Sequence, residues 1–310
     1  MLTGFVHADE LTINQIQFVG SHNSYKQAMS APAAWLLRLF DAQTAEQLDY
    51  AHVPLAEQLD QGLRKLELDV FYDPDNQLFV VGHVQLIDMN SHCTDLRLCL
   101  QQILRWSEAN PHHVPIWIGI NAKDDVISLL PDPHPFTPEV FAHLDEVLWE
   151  MLGDKLITPA DVPQRRWPGL QQSRGKFLLV LDERGQKIDW YLQGWQRRPM
   201  FANAPVDHPA AAVLIVNDPV ARHDEIQARI RQGYMVRTRA DADTVEARSG
   251  AVQRRERAFS SGAQAVSTDY YLPHNPFGTD YRVTLPHAIR CNPVNTPPDC
   301  RVPGINAPQR

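Results

Sequence analysis

The sequence predicts an α/β fold, a barrel of the TIM (β/α)8 type that allows irregular or incomplete closure, with an irregular C-terminal tail. Three observations predict it. Short apolar runs alternate with segments of helical periodicity along the chain. Several of the runs are apolar throughout, as parallel strands buried on both faces are. Almost every run stops at an acid, an amide or a base, and barrel enzymes gather their working groups where strands end.

The strands are expected at 16–21, 64–70, 115–120, 177–182, 213–217, 234–237 and 265–268. An extra strand at 79–84 is expected to hairpin onto the second through the turn Asp73-Pro74-Asp75-Asn76. Helices are expected at 95–109, 139–152, 221–232 and 244–261. Leu96, Leu100, Ile103 and Leu104 recur at helical spacing, as do Phe141, Leu144, Val147, Leu148 and Met151. Asn110-Pro111 and Gly153 are stops. The chain shows neither repeat nor linker, so one domain over residues 1–310 is expected, with a core of about 16–272. The tail after Tyr281, rich in Pro and Asn, is expected to wrap the barrel as irregular structure.

Composition narrows the function. The 44% hydrophobic content suits a sizeable core, and a net charge of −8 argues against a nucleic-acid surface. No apolar run reaches the roughly 18 residues of a membrane-spanning helix. Met1 to Glu10 lack the basic start and apolar stretch of a signal peptide, which fits either a cytosolic protein or a missing leader. The cysteines favour the missing leader. Cys93, Cys99, Cys291 and Cys300 allow three pairings. The local pairs Cys93–Cys99 and Cys291–Cys300 need no long-range closure and are preferred. They imply an oxidising, secreted or periplasmic setting. Four free thiols in a cytosolic enzyme is the alternative. A zinc site is disfavoured by the spacing.

Chemistry is concentrated in three stretches: Gly20-Ser21-His22-Asn23-Ser24-Tyr25, Lys65-Leu66-Glu67-Leu68-Asp69-Val70 and Val81-Gly82-His83. Glu67 and Asp69 lie two apart on a strand and therefore share a face. Two imidazoles can serve as base and acid. Asn23, Glu67 and Asp69 are hard oxygen ligands, suited to Ca²⁺ or Mg²⁺ rather than zinc. This is equipment for metal-assisted cleavage of a phosphodiester. For any one of these residues alone, an ordinary satisfied core position is the better reading.

With these stretches the sequence resembles the calcium-dependent phosphatidylinositol-specific phospholipase C family, especially its secreted bacterial and fungal branch. Three further stretches carry the resemblance: Gly153 to Pro159, Val236-Arg237-Thr238-Arg239-Ala240-Asp241-Ala242-Asp243-Thr244, and Ser261 to Tyr270. It covers roughly residues 16–272. The paired histidines are shared with glycerophosphodiester phosphodiesterases. The arginine-rich run and the terminal Thr268-Asp269-Tyr270 are more specific, and Cys93 and Cys99 look like a feature of the secreted branch.

The resemblance implies that His22 and His83 are the catalytic histidines and that Asn23, Glu67 and Asp69 bind Ca²⁺, with Mg²⁺ the alternative ion. The family's further carboxylate, at the end of the third strand, reads Asn121 here. Its amide carbonyl still suits Ca²⁺, at the loss of one negative charge. Lys123 resembles a phosphate-contacting lysine, and Arg239 and Tyr270 are candidates for the head group. The implied reaction is attack of the inositol 2-hydroxyl on its own phosphorus, giving diacylglycerol and a cyclic inositol phosphate. Glu67 or His22 takes the proton and His83 protonates the leaving oxygen. The implied partner is a phospholipid or other inositol phosphodiester substrate, and a monomer is expected. A glycerophosphodiester phosphodiesterase, and a weakly catalytic lipid- or sugar-phosphate-binding barrel, are the alternatives.

Remaining signals are weaker. His112 and His113 are expected at a helix end, Asp132-Pro133-His134-Pro135 in a rigid loop, and Trp167, Trp190 and Trp195 in packing or at the rim. Ala33 to Phe40 places five bulky apolar residues within six positions soon after His22. That suggests peripheral contact with a membrane, against the alternative of an ordinary helix packed on the barrel.

Overall fold

Strand alternation builds the wall of the barrel and decides what faces inward. The computed structural model describes residues 11–128 and 130–302, and the signal-peptide reading of Met1 to Glu10 lies outside them. In β2 (Lys65–Asp73), Leu66, Leu68 and Val70 are fully buried in the apolar layer beneath the helices. Ile116, Ile118 and Ile120 of β4 (Ile116–Ala122) join that layer, as do Phe177, Leu179 and Leu181 of β6 (Phe177–Leu181). The alternate positions face the barrel interior. There Trp117, Leu178 and Val180 form an apolar plug, and Lys65, Glu67, Asp69 and Asn121 take the polar end. Each fully buried Leu or Ile of the outer layer contributes about 1.5–3 kcal/mol.

Eight parallel strands make the wall. Besides β2, β4 and β6 they are β1 (Ile16–Ser21), β7 (Met200–Ala202), β8 (Val213–Ile215), β9 (Met235–Arg239) and β10 (Ala265–Thr268). The order is β8-β9-β10-β1-β2-β4-β6-β7, with Phe18 opposite Ala265 and Glu67 opposite Gly119. Among the described residues no ladder joins β7 to β8. Their seam is bridged by Asn203, whose Oδ1 accepts from Ile215 N at 3.0 Å. The expected barrel is therefore present and incompletely closed. Two residues, Leu156–Ile157 (β5), pair with the start of β6. The expected hairpin is present as β3 (Leu78–Val81), antiparallel to β2.

The helices follow their patterns: α4 (Leu96–Ala109), capped by Asp95, α5 (Pro138–Leu152), capped by Thr137, and α7 (His223–Arg231). The helix expected over 244–261 is broken into α8 (Val245–Ser249) and α9 (Gln253–Ser260), because Gly250 turns left-handed at φ 71°. The short helices α2 (Ala42–Gln47), α3 (Leu55–Asp60) and α6 (Gln186–Tyr191) and strand β7 were not anticipated, being too short to show a period. Helix α1 (Ala31–Phe40) overturns the core reading of its apolar strip. None of its residues is buried, and Trp35 is 63%, Leu39 62% and Phe40 83% exposed.

Both disulfides pair locally, Cys93–Cys99 and Cys291–Cys300. As far as residue 302 the tail is mostly irregular as expected, but Ile289–Cys291 (β11) adds an antiparallel strand along the start of β1.

Candidate active site

His22 follows the last residue of β1, and Asn23 next to it takes φ 45°, a left-handed conformation that Asn tolerates better than most residues. The imidazole is anchored across the barrel mouth. Its Nδ1 lies 3.1 Å from Asp269 Oδ1, one residue beyond β10. A carboxylate only accepts, so Nδ1 carries the proton and Nε2 is left as acceptor. Nε2 faces Glu67 Oε1 at 3.8 Å. Arg239 at the end of β9 binds the other oxygen of Asp269 at 3.2 Å. Beneath them buried His52 donates from Nε2 to the carbonyl of His22 at 2.6 Å and stacks on Tyr271.

The second histidine has the same construction. His83 Nδ1 donates to Asp88 Oδ2 at 3.2 Å, and Asp88 Oδ1 accepts from the fully buried Lys26 at 2.9 Å. His83 lines an open pocket with Phe71, Lys123, Asp125 and Ile127. Lys123 Nζ lies 3.6 Å from Asp69 Oδ2. A chain of contacts thus runs from His22 through Glu67, Asn121, Asp69 and Lys123 to the pocket beside His83.

Glu67 is the hub. Its Oε2 accepts from Lys65 and, at 2.7 Å, from Arg237, which reaches over from β9 across the interior. Arg237 also donates to Asn217 Oδ1 at 2.6 Å and pairs with Asp182 at 3.5 Å. Burial alone pushes the Glu67 carboxyl up, but Arg237 and Lys65 outweigh it and hold the group well below the usual carboxylate range. Burial pushes the Lys65 ammonium down to about 8 against the pull of Glu67, so the pair stays ionised at neutral pH. For His22, burial and then the Arg239 charge lower the imidazole below its ordinary value, against opposing contributions from Asp269 and Glu67. His22 is neutral at pH 7.

Donor chemistry at the mouth fits a hard divalent cation. Asn121 Nδ2 donates at once to Glu67 Oε1, 3.3 Å away, and Asp69 Oδ1, 3.0 Å away. One partly positive group thereby bridges two carboxylates where a cation would be stabilised, and a half-turn of the amide presents its oxygen instead. Asn23 spends its amide nitrogen on Tyr50 Oη at 2.8 Å, which leaves its oxygen as a donor atom. Two carboxylates and two amides make the set. Among the described residues no group of three His, Cys, Asp or Glu side chains converges as a metal site.

The mouth thus gathers His22, Glu67, Asp69, Asn121 and Lys123, with Asn23 beside His22 and His83 in the adjoining pocket. Two candidates are placed differently. Arg239 is committed to Asp269 and acts behind His22. Tyr270 is corrected: it is buried among Val19, Ala240, Tyr281 and Phe277, with a hydroxyl that finds no partner among the described residues. Asp269 points inward to His22, so the next residue points out of the mouth. Sequence reasoning missed the anchoring Asp88, Lys26 and His52, and the cations Lys65 and Arg237 around Glu67. Lys65 was within reach of it, since positions 65, 67 and 69 share a face.

The chain matches the family model described as phosphoinositide phospholipase C, Ca²⁺-dependent, over residues 11–81 and 75–293. No curated protein matches the sequence. Among solved structures it is similar to a calcium-dependent phosphoinositol-specific phospholipase C from a Gram-negative Pseudomonas species, in its apo form. The identity is 17%, coverage is 93% of this chain and 97% of that one, and the TM-score is 0.59. A Ca²⁺-dependent phosphatidylinositol-specific phospholipase C from Streptomyces antibioticus gives 18% identity, 84% and 95% coverage and a TM-score of 0.58. The phosphatidylinositol-specific phospholipase C of Listeria monocytogenes gives 13%, 84% and 89%, and 0.53. At these identities the likeness speaks for the fold.

Proposed function

This chain belongs to the Ca²⁺-dependent phosphoinositide phospholipase C family, and on that basis we propose that it cleaves phosphatidylinositol, or a related inositol phosphodiester, to diacylglycerol and a cyclic inositol phosphate. The observation that carries the reading is the pair of histidines, each held through Nδ1 by a buried carboxylate so that Nε2 is free for proton transfer. The Pseudomonas relative was also solved as a myo-inositol complex, which supports an inositol head group here.

In this mechanism His22 Nε2 takes the proton of the inositol 2-hydroxyl. The oxygen attacks the adjacent phosphorus, and the bond from phosphorus to the glycerol oxygen breaks. His83 Nε2 delivers a proton to that departing oxygen. The nucleophile and phosphorus belong to one molecule, which gives the step its proximity advantage. His22 is a better base than Glu67, because Lys65 and Arg237 hold Glu67 as a stabilised, weakly basic anion. Asp269 keeps the base in the correct tautomer, and Asp88 fixes the ring orientation of the acid, as carboxylates do behind histidine in acyl transfer. Lys123 faces the pocket as a point charge for the phosphate. Asn23, Glu67, Asp69 and Asn121 hold Ca²⁺, which when bound lowers the hydroxyl pKa and neutralises phosphate charge.

The substrate sits in a lipid surface, and α1 supports contact with it: Trp35, Leu36, Leu39 and Phe40 are exposed on a helix that follows the His22 loop. Among the described residues no helix is long and apolar enough to cross a membrane. Two disulfides suit a secreted or periplasmic enzyme. The test is paired: His22→Ala and His83→Ala each remove turnover of phosphatidylinositol while leaving the melting temperature unchanged. Near-normal turnover by either variant overturns the assignment.

A further inference from the structure

Lys65 is a buried cation in direct contact with a candidate metal ligand, and beyond holding Glu67 ionised the mechanism above gives it no part. Its side chain runs along the interior face of β2, where Gly20 makes room for it: a Cβ at Gly20 would lie 2.2 Å from Lys65 Cβ. The ammonium donates to Ser21 O at 2.8 Å, to Ser267 Oγ at 3.2 Å and to Glu67 Oε2. Arg237 donates to that same oxygen at 2.7 Å. Only Oε1 of Glu67 is turned to the mouth, toward Asn121 and His22. Around the mouth three carboxylates, Glu67, Asp69 and Asp182, face three cations, Lys65, Lys123 and Arg237. The charge is already balanced before any metal ion enters, and Asn121 adds a dipole where a carboxylate would add a charge.

We infer that Lys65 sets the affinity of the mouth for divalent cations, acting through Glu67 as a built-in competitor that keeps Ca²⁺ binding weak. This rests on the assignment of Glu67 and Asp69 as metal ligands. A fixed positive charge a few ångströms from the ion opposes its entry through a poorly screened interior. The same charge keeps Glu67 ionised and oriented when no metal ion is bound, so the donor set stays formed at low Ca²⁺.

Calorimetric titration of the full chain with CaCl₂ tests this without recourse to activity. Wild type is expected to bind with Kd around 10⁻⁴–10⁻³ M, at the weak end of protein Ca²⁺ sites. Lys65→Met, which keeps the side-chain length, and Lys65→Gln, which keeps a hydrogen-bond donor, are each expected to lower Kd about tenfold or more. A purely structural role for Lys65 predicts weaker binding in both. Unchanged or raised Kd in a folded variant overturns the inference while leaving the ligand assignment standing, and so does a micromolar or tighter wild-type Kd, whatever the variants do. If neither wild type nor either variant binds Ca²⁺, the ligand assignment itself falls and the inference with it.

Discussion

His22 Nδ1 and Asp269 Oδ1 lie 3.1 Å apart, joined by neighbouring strands β1 and β10 although 247 positions separate them in sequence. In the proposed mechanism this contact equips His22 as the base: the carboxylate fixes the proton on Nδ1 and turns Nε2 to the mouth. Asp269→Asn removes the charge and offers an amide that can donate to Nδ1, which favours the wrong tautomer. A fall in kcat of roughly 10²–10⁴-fold is expected. Asp269 raises the His22 pKa, so its loss lowers that pKa further, and the acid limb of kcat/KM moves to lower pH. Rate profiles of the two proteins check both points, and an acid limb that moves upward contradicts the assignment.

Turnover is expected to need a divalent cation, to stop with chelator and to return best with Ca²⁺. Asn121→Asp places a third carboxylate beside Glu67 and Asp69, and Ca²⁺ binding should tighten by about tenfold in calorimetry. Chelator-resistant turnover, together with no detectable cation binding to wild type, rules the donor set out.

How much of this was legible in the sequence follows from period and distance. The parallel strands announced themselves as apolar runs, and β1 and β10 occur with the boundaries expected from the sequence. Glu67 and Asp69 were readable because alternation needs only one strand. Asp88 was not, because a turn at Val84 to Asp88 folds it back onto His83. Arg237 was hidden because its meeting with Glu67 depends on barrel curvature that brings β9 opposite β2. Tyr270 was misread because the inward phase of the final run is set by Ser267 and Asp269, which leaves Tyr270 facing away. The exposed strip of α1 has the composition of a core helix, and only the fold tells that nothing covers it.

The pair Lys26 and Asp88 is fully buried, so removing Lys26 leaves the Asp88 carboxylate buried without its ammonium partner. Lys26→Met should cost about 3–5 kcal/mol of stability. The double variant Lys26→Met with Asp88→Leu should recover part of that in thermal unfolding, yet remain impaired in turnover because His83 loses its anchor. Full activity in the double variant would show that Asp88 has no part in orienting His83.

Trp35→Ser with Phe40→Ser should weaken binding to phosphatidylinositol vesicles, each large side chain contributing up to about 1.5–3 kcal/mol of partitioning. Both residues are exposed, so the melting temperature should not move, nor should activity on a water-soluble inositol phosphodiester. Unchanged vesicle binding, or a large drop in melting temperature, excludes the membrane role.

Intramolecular attack by the inositol 2-hydroxyl makes a cyclic phosphodiester the first product, and phosphorus NMR of the reaction mixture detects it. Wild-type protein with phosphatidylinositol and Ca²⁺ is expected to produce the signal of a cyclic inositol phosphodiester first, with any acyclic phosphomonoester appearing later. An acyclic phosphomonoester as the first product, or turnover of glycerophosphodiesters with phosphatidylinositol left intact, would contradict the account.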